Sequence, residues 1–287
     1  MTVSRRKFIG ASAAVGIGAG VLAACGPSDS KAAGSSSSTT TAPGSFESYL
    51  QGKGYSAVKA APLITGATFN GGLRFDDDTS AYTGKSYVAQ QAARVEDAAK
   101  KSVPGTLPLF TIVGVETTTP EQANAATELV LGYLTGTAKL DPKQLRVTTT
   151  DHSSQFFPLL AKYGITTQQI RLRPWDEAVK DGSGSGYFAP AGHPGNPKAA
   201  SFSVEYVMPD SSEIEVAEIT HGDGTNRTSG GIGVERVEMA RTGTASSWDQ
   251  TVGALQKAVQ AEAKRTGAAV PPGLAQLTGS ASTTTTG

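Results

Sequence analysis

Apolar positions along this chain fall into short runs with two different periods. In Ser45-Phe46-Glu47-Ser48-Tyr49-Leu50, residues Phe46, Tyr49 and Leu50 share one face of a predicted short helix, which Gly52 and Gly54 stop. Ala67-Thr68-Phe69-Asn70-Gly71-Gly72-Leu73-Arg74-Phe75 sets Asn-Gly between apolar flanks and so predicts a turn at Asn70-Gly71. The Ala- and Gln-rich stretch from Tyr87 to Lys101 reads as a helix, and the apolar run Leu107 to Val115 as a strand. Thr119-Pro120-Glu121-Gln122 then offers an N-cap, a proline in the first turn and Gln at the third position, announcing a helix to about Leu134 that Gly136 ends.

A strand from Gln144 to Thr149, a helix from Ser153 to Tyr163 with Gly164 as its stop, and a strand from Gln168 to Arg173 follow. Ser201 to Met208 alternates Phe202, Val204, Tyr206 and Met208 with Ser203, Glu205 and Val207. Pro209-Asp210-Ser211-Ser212 turns it into a second strand, Glu213 to Thr220, which makes an antiparallel hairpin. Ser247-Trp248-Asp249-Gln250 is a capping box whose helix carries Val252, Leu255 and Val259 inward and stops at Gly267. Strands in runs with helices around them predict an α+β fold with a largely antiparallel sheet flanked by helices.

The ends of the chain differ from this body. Ser4-Arg5-Arg6-Lys7-Phe8-Ile9, with Arg5 and Arg6 as its pair, fits a twin-arginine export pattern, and a Gly/Ala-rich apolar stretch runs on to Ala24. Leu22-Ala23-Ala24-Cys25 resembles the lipobox of bacterial lipoproteins, which implies lipidation at Cys25. The single cysteine excludes an internal disulfide. Residues 1–24 thus read as a signal peptide, 25–44 as a Ser/Thr-rich tether too polar to pack, 45–275 as the folded body and 276–287 as a polar tail. The expected place is the outer face of the cytoplasmic membrane or the cell envelope, held by a lipid on Cys25.

Charge narrows the partners. The first 24 residues hold Arg5, Arg6 and Lys7 and no carboxylate, so the remainder has 22 basic against 25 acidic residues, a net charge of −3. A mildly acidic body with no basic run argues against a broad RNA footprint.

Several words in order resemble the class II catalytic core of alanyl-tRNA synthetase, over about residues 45 to 241. The opening helix run is similar to the family's F-x-x-F/Y pattern, Phe110-Thr111-Ile112-Val113-Gly114 to F-E-M-L-G, and Leu145-Arg146-Val147-Thr148-Thr149 to L-x-V-T-V. Tyr163-Gly164-Ile165 resembles I-G-I, Glu215-Val216-Ala217-Glu218-Ile219 resembles E-I-W-N-L, and Gly231-Ile232-Gly233-Val234-Glu235-Arg236-Val237 resembles the third motif, G-M-G-L-E-R-I. The resemblance implies ATP with Mg as cofactor and amino-acid activation, the substrate carboxylate attacking the α-phosphate. It places Arg236 against adenine and outer phosphates, Arg94 on phosphate as the second motif's arginine, and Gly231, Gly233 and Glu235 in the ATP site. Arginine suits this role because its fork always carries charge toward phosphate oxygens.

The departures matter as much. Ser229 stands where the family holds the substrate ammonium with aspartate, and Glu218 where it has asparagine, so Glu218 is either a displaced substrate-binding acid or an outward strand glutamate. Thr111 replaces the second motif's glutamate, and Gly105-Thr106-Leu107-Pro108 its histidines and second arginine. Arg94 also reads as a solvated helix residue and Arg236 as a surface ion-pair partner. After Arg241 the resemblance to the family stops, so neither its RNA-handling region nor its editing region is expected here. The expectation is a degenerate activating enzyme without tRNA as partner; the alternative is a non-catalytic envelope lipoprotein that binds a small molecule or a protein. His152, His193 and His221 lack metal-ligand spacing, and Asp76-Asp77-Asp78 reads as a solvated turn, so no metal site is expected.

Overall fold

The structure, a computed structural model, describes residues 44–73, 85–117, 124–181, 186–188, 199–221 and 228–274. In chain order the strands are β1 (Ser56–Ala57), β2 (Ile64–Thr65), β3 (Thr68–Phe69), β4 (Ser86–Ala93), β5 (Leu109–Thr117), β6 (Leu145–Thr150), β7 (Ile170–Arg173), β8 (Tyr187–Phe188), β9 (Ala199–Val207), β10 (Glu213–His221) and β11 (Thr228–Gly233). The helices are α1 (Phe46–Gly52), α2 (Ala125–Gly132), α3 (Phe157–Lys162), α4 (Trp175–Asp181), α5 (Val234–Thr242) and α6 (Trp248–Thr266). Nine strands form one sheet in the order β1-β4-β5-β11-β10-β9-β6-β7, with β8 beside β9, and β2 pairs with β3 apart from it. Only the β1·β4 and β6·β7 pairings in it are parallel. This is the expected α+β arrangement.

One face of the sheet is apolar. Val113 and Val115 of β5, Ile232 of β11, Ile219 of β10, Phe202 and Val204 of β9 and Val147 of β6 are all buried in one core with residues of α1 and α2. α2 approaches so closely that a methyl on Gly230 would stand 3.0 Å from Val130. Alternation then gives the other face mostly small and polar residues, with Val88 of β4 and Phe110 and Ile112 of β5 among its apolar members. A smaller core joins Leu63 and Ile64 to Ala93 at the end of β4 and to Leu255 and Val259 of α6. That second core fixes where β4 ends, and so where Arg94 begins.

Two expectations fail here. The stretch Tyr87 to Lys101 is not helical: β4 pairs with β5 from Ser86↔Glu116 to Ala93↔Leu109, and only Val95–Lys100 coils, as a 3-10 turn. Ala and Gln favour helix by propensity, but burial of Tyr87, Val88, Gln90, Ala92 and Ala93 within the sheet outweighs that preference. The predicted turn at Asn70-Gly71 lies instead at Gly66, whose φ of +61° suits a tight reversal between β2 and β3. Asn70 is buried, with its amide donating to the Pro62 carbonyl and, at 3.0 Å, to Thr65 Oγ1.

The other elements sit close to expectation. Ser45 caps α1 by accepting from the Ser48 amide at 3.1 Å. The helix expected over Ser153 to Tyr163 divides into a 3-10 turn, Asp151–Phe156, and α3. The start expected for α2 at Thr119-Pro120 lies outside the described residues, as do Arg5, Arg6, Cys25, the Asp76-Asp77-Asp78 run and His193. Among the described residues no helix is long and apolar enough to cross a membrane.

Candidate functional site

Cross-strand registers place the sequence-predicted residues on the polar face. Gly114 of β5 is opposite Gly231 of β11, Gly231 is opposite Glu218 of β10, Glu218 is opposite Ser203 of β9, and Ser203 is opposite Thr148 of β6. Directly paired residues share a face, so this row crosses four pairings without a large apolar side chain. Leu73 is the exception above it: a methyl on Gly114 would lie 2.5 Å from its side chain.

At one end of this face stand the two arginines. Arg94 follows the last residue of β4, and its Nε donates to the Gly71 carbonyl at 2.5 Å. Arg236 lies in the first turn of α5, and its Nε donates to the Gly105 carbonyl at 2.9 Å. Phe110 joins them, with the guanidinium carbons of Arg94 and Arg236 at 5.1 and 5.4 Å from its ring centroid. Both distances are within cation–π range. Burial, and then the neighbouring Arg236 charge, pull the Arg94 pKa down. Arg236 Nη1 lies 3.6 Å from a Glu215 carboxylate oxygen, with both side chains largely shielded from water.

Local structure explains this convergence. Gly105 has φ +75°, and a methyl there would meet Ile214 Cγ2 at 2.9 Å, so only glycine lets the loop before β5 press its carbonyl toward Arg236. Glu235, beside Arg236 in the sequence, accepts from the Thr111 amide at 2.8 Å and so pins α5 to β5. Gly233 caps α5, and a methyl on it would crowd the Arg236 stem at 3.4 Å. Its role is to seat the arginine. Gly231 likewise lies between strands, its Cβ position 3.3 Å from the Val113 carbonyl.

The remaining candidates lie further along the same face. Ser229 is two residues from Gly231, and its hydroxyl is 2.5 Å from that of Thr220, opposite it on β10. Glu218 is half-buried on the face turned away from the main core, where Ser203 Oγ donates to it at 3.4 Å. The solvated-helix reading of Arg94 falls with the helix itself.

Three functional candidates were not singled out by sequence: Phe110 as the shared ring, Glu205 and Glu215. In a regular strand Glu215 and Glu218 point to opposite faces. A bulge between Glu215 and Ala217 shifts the register and returns both to the polar face, where Glu215 also stands opposite Glu205. The Glu-x-x-Glu spacing carries no trace of the bulge. Burial and then the Glu215 charge push Glu205 up to about 8, and the same two causes hold Glu218 well above the usual carboxylate range.

Metal chemistry has no comparable support. Among the described residues no three His, Cys, Asp or Glu side chains gather as a metal site. His152 instead stacks on Trp175 with ring centroids 4.3 Å apart.

No protein-family model matches the chain, and neither does any curated protein sequence. Among solved structures it is similar to the apo histidyl-tRNA synthetase of S. aureus, at 12% identity and TM-score 0.41 over 78% of this chain and 75% of that one. It is also similar to the aspartyl-tRNA synthetase of Entamoeba histolytica, at 13% identity and TM-score 0.40 over 69% of this chain and 53% of that one. A third is the pyrrolysyl-tRNA synthetase of Desulfitobacterium hafniense, at 15% identity and TM-score 0.37 over 69% and 67%.

Proposed function

We propose that the chain is a nucleotide-binding module in the manner of a class II synthetase core, with ATP as ligand and with amino-acid activation reduced or lost. The observation that carries this reading is the convergence of Arg94 and Arg236 on Phe110 from two motif-like words far apart in the chain. Burial, and then the Arg236 charge, lower the Arg94 pKa, so an anion between the two guanidiniums would relieve repulsion. The Phe110 ring against which both guanidiniums lie is only 3% exposed, so it becomes a stacking surface for a base once an arginine moves off it. Phe110 would hold adenine, and the two arginine forks would take phosphate oxygens. Bound ATP would supply the electrophilic phosphorus. The chain's own part is to orient the phosphates and offset their charge. No three His, Cys, Asp or Glu side chains gather as a metal site among the described residues, so Mg would be held chiefly by the phosphates of ATP, with Glu215 beside Arg236 as the nearby carboxylate.

The alternative, a non-catalytic envelope lipoprotein, is favoured by one distance. A base sliding between Phe110 and Arg236 needs about 7 Å, twice a ~3.5 Å contact, whereas the guanidinium lies 5.4 Å from the ring. Arg236 must swing off the Gly105 carbonyl before a nucleotide enters. Export by the twin-arginine route, anchoring through a lipid on Cys25 and the absence of tRNA as a partner belong to the same proposal.

The test is displacement of a fluorescent ATP analogue from the protein. Bound signal that ATP displaces, and that Phe110→Ala and Arg236→Ala each weaken about tenfold, is expected. Equal signal from all three proteins would exclude this seat. Labelled pyrophosphate exchange into ATP, run with each amino acid, then separates the enzyme from the binding module.

A further inference from the structure

Asn70-Gly71 is the one Asn-Gly pair in the chain, and its hydrogen bonds join three parts of the fold. The Asn70 backbone N–H donates to the Leu63 carbonyl at 2.9 Å, and the Asn70 carbonyl accepts from the Ala93 amide at 2.9 Å. The Gly71 carbonyl accepts from Arg94 Nε at 2.5 Å and the Gly72 carbonyl from Gln90 Nε2 at 2.9 Å. Three consecutive residues thus hold the end of β4 and the arginine that follows it.

The Asn70 side chain is committed as well. It is buried, and its Nδ2 donates both to the Pro62 carbonyl and, at 3.0 Å, to Thr65 Oγ1. Each bond uses one N–H of the amide. A carboxylate in that place would set an acceptor against the Pro62 carbonyl and bury a charge without a donor. Asparagine is also a chemically labile residue, because the next backbone nitrogen can attack its side-chain carbonyl. Glycine in the next position favours that attack, since it has no Cβ to hinder the approach and the widest choice of backbone conformations. The sequence therefore puts the most reactive asparagine context at a point where the fold needs the amide intact.

We propose that Asn70 is a deamidation site which the native contacts keep latent, and that its conversion dismantles the support of Arg94. In the reaction the Gly71 nitrogen bonds to Asn70 Cγ, the Cγ–Nδ2 bond breaks, and Nδ2 leaves as ammonia with the proton from the Gly71 amide. Water then opens the cyclic imide. Attack at the side-chain carbonyl gives aspartate, and attack at the backbone carbonyl gives isoaspartate, whose main chain carries an extra methylene. Neither product restores the two donors, and isoaspartate also shifts the Gly71 carbonyl away from Arg94 Nε. Ring closure requires Asn70 Cγ to turn toward the Gly71 nitrogen and away from Pro62 and Thr65, so it waits on local opening of the β2–β3 corner. The inference stands apart from nucleotide binding.

Incubation of the full chain at mildly alkaline pH, folded and in urea, tests the site, with peptide mass spectrometry and isoaspartyl methyltransferase labelling as readouts. Conversion at Asn70 in urea is expected to outpace that in the folded chain about tenfold or more, because the reaction follows the open population. Thr65→Val removes an acceptor at an exposed strand position. It should speed conversion in the folded chain several-fold, with the rate in urea and the melting temperature near the parent's. A methyl on Gly71 would lie 3.5 Å from Arg94 Cγ, an ordinary contact, so Gly71→Ala fits the fold. That variant should slow conversion in urea about tenfold. Asn70→Asp, one of the two products, should melt below the parent and exchange its Arg94 amide proton faster. Equal rates in the folded and unfolded chains, or no conversion at Asn70 in urea, overturn the latent site. An Asn70→Asp protein that matches the parent in melting temperature and in Arg94 exchange overturns the link to the arginine.

Discussion

Gly105 and Arg236 show how much of the candidate site depends on single residues. Gly105 holds φ +75° against Ile214 while its carbonyl accepts from Arg236. Gly105→Ala therefore adds a left-handed strain and a clash at once, and should destabilise the protein by about 2 kcal/mol, measured by urea unfolding. Glu205 bears a different test. Its folded pKa of about 8 is raised above the unfolded value, so the native state holds a proton that the unfolded state releases. Stability should accordingly fall as pH rises from about 4.5 to about 8 and level off beyond, with Glu218 adding to the slope. Glu205→Gln should flatten that fall and raise stability at pH 8 by on the order of 2 kcal/mol. Unfolding curves at several pH values that overlay for parent and variant would contradict this. At this scale residue types single out Arg94, Arg236 and Glu235 but carry no sign that the fold brings both arginines to Phe110. The sequence was illegible where the backbone decides, because the bulge that brings Glu215 and Glu218 to one face leaves no mark in residue types.

Elements with local signals came through most clearly. The capping box at Ser247 opens α6, Ser247 Oγ accepting from the Gln250 amide at 3.3 Å and Gln250 answering the Ser247 amide at 2.9 Å. Ser247→Ala should cost about 1 kcal/mol. Because α6 carries Leu255 and Val259 into the core that holds Ala93, the loss should also loosen Arg94, read as faster hydrogen exchange at the Arg94 amide. The β9–β10 hairpin was equally plain, since strict alternation and a Pro-Asp turn agree. β4 was misread for the opposite reason: Ala and Gln carry a helical preference, and only the long-range pairing with β5 makes them a strand. Period and composition within one segment carry no information about a partner strand. The same blindness hid the place of Arg94, which is set by where β4 stops.

At the scale of the molecule, one sheet separates two jobs. Its apolar face packs α1 and α2 into the main core, and its polar face gathers arginines at one end and carboxylates beside them, joined by the Arg236–Glu215 contact. That division followed from alternation and was foreseeable as an α+β fold, whereas the order of strands was not. If a lipid on Cys25 tethers the body outside the membrane, Cys25→Ser should release the chain from the membrane fraction into the soluble one. Calorimetric titration of ATP into the parent and into Arg236→Ala tests most directly the proposal that Arg94, Phe110 and Arg236 form a nucleotide seat. A dissociation constant of about 10–100 μM, weakened about tenfold or more in the variant, is the expected result. Absence of heat at about 5 mM ATP, or equal affinity in the two proteins, would contradict it.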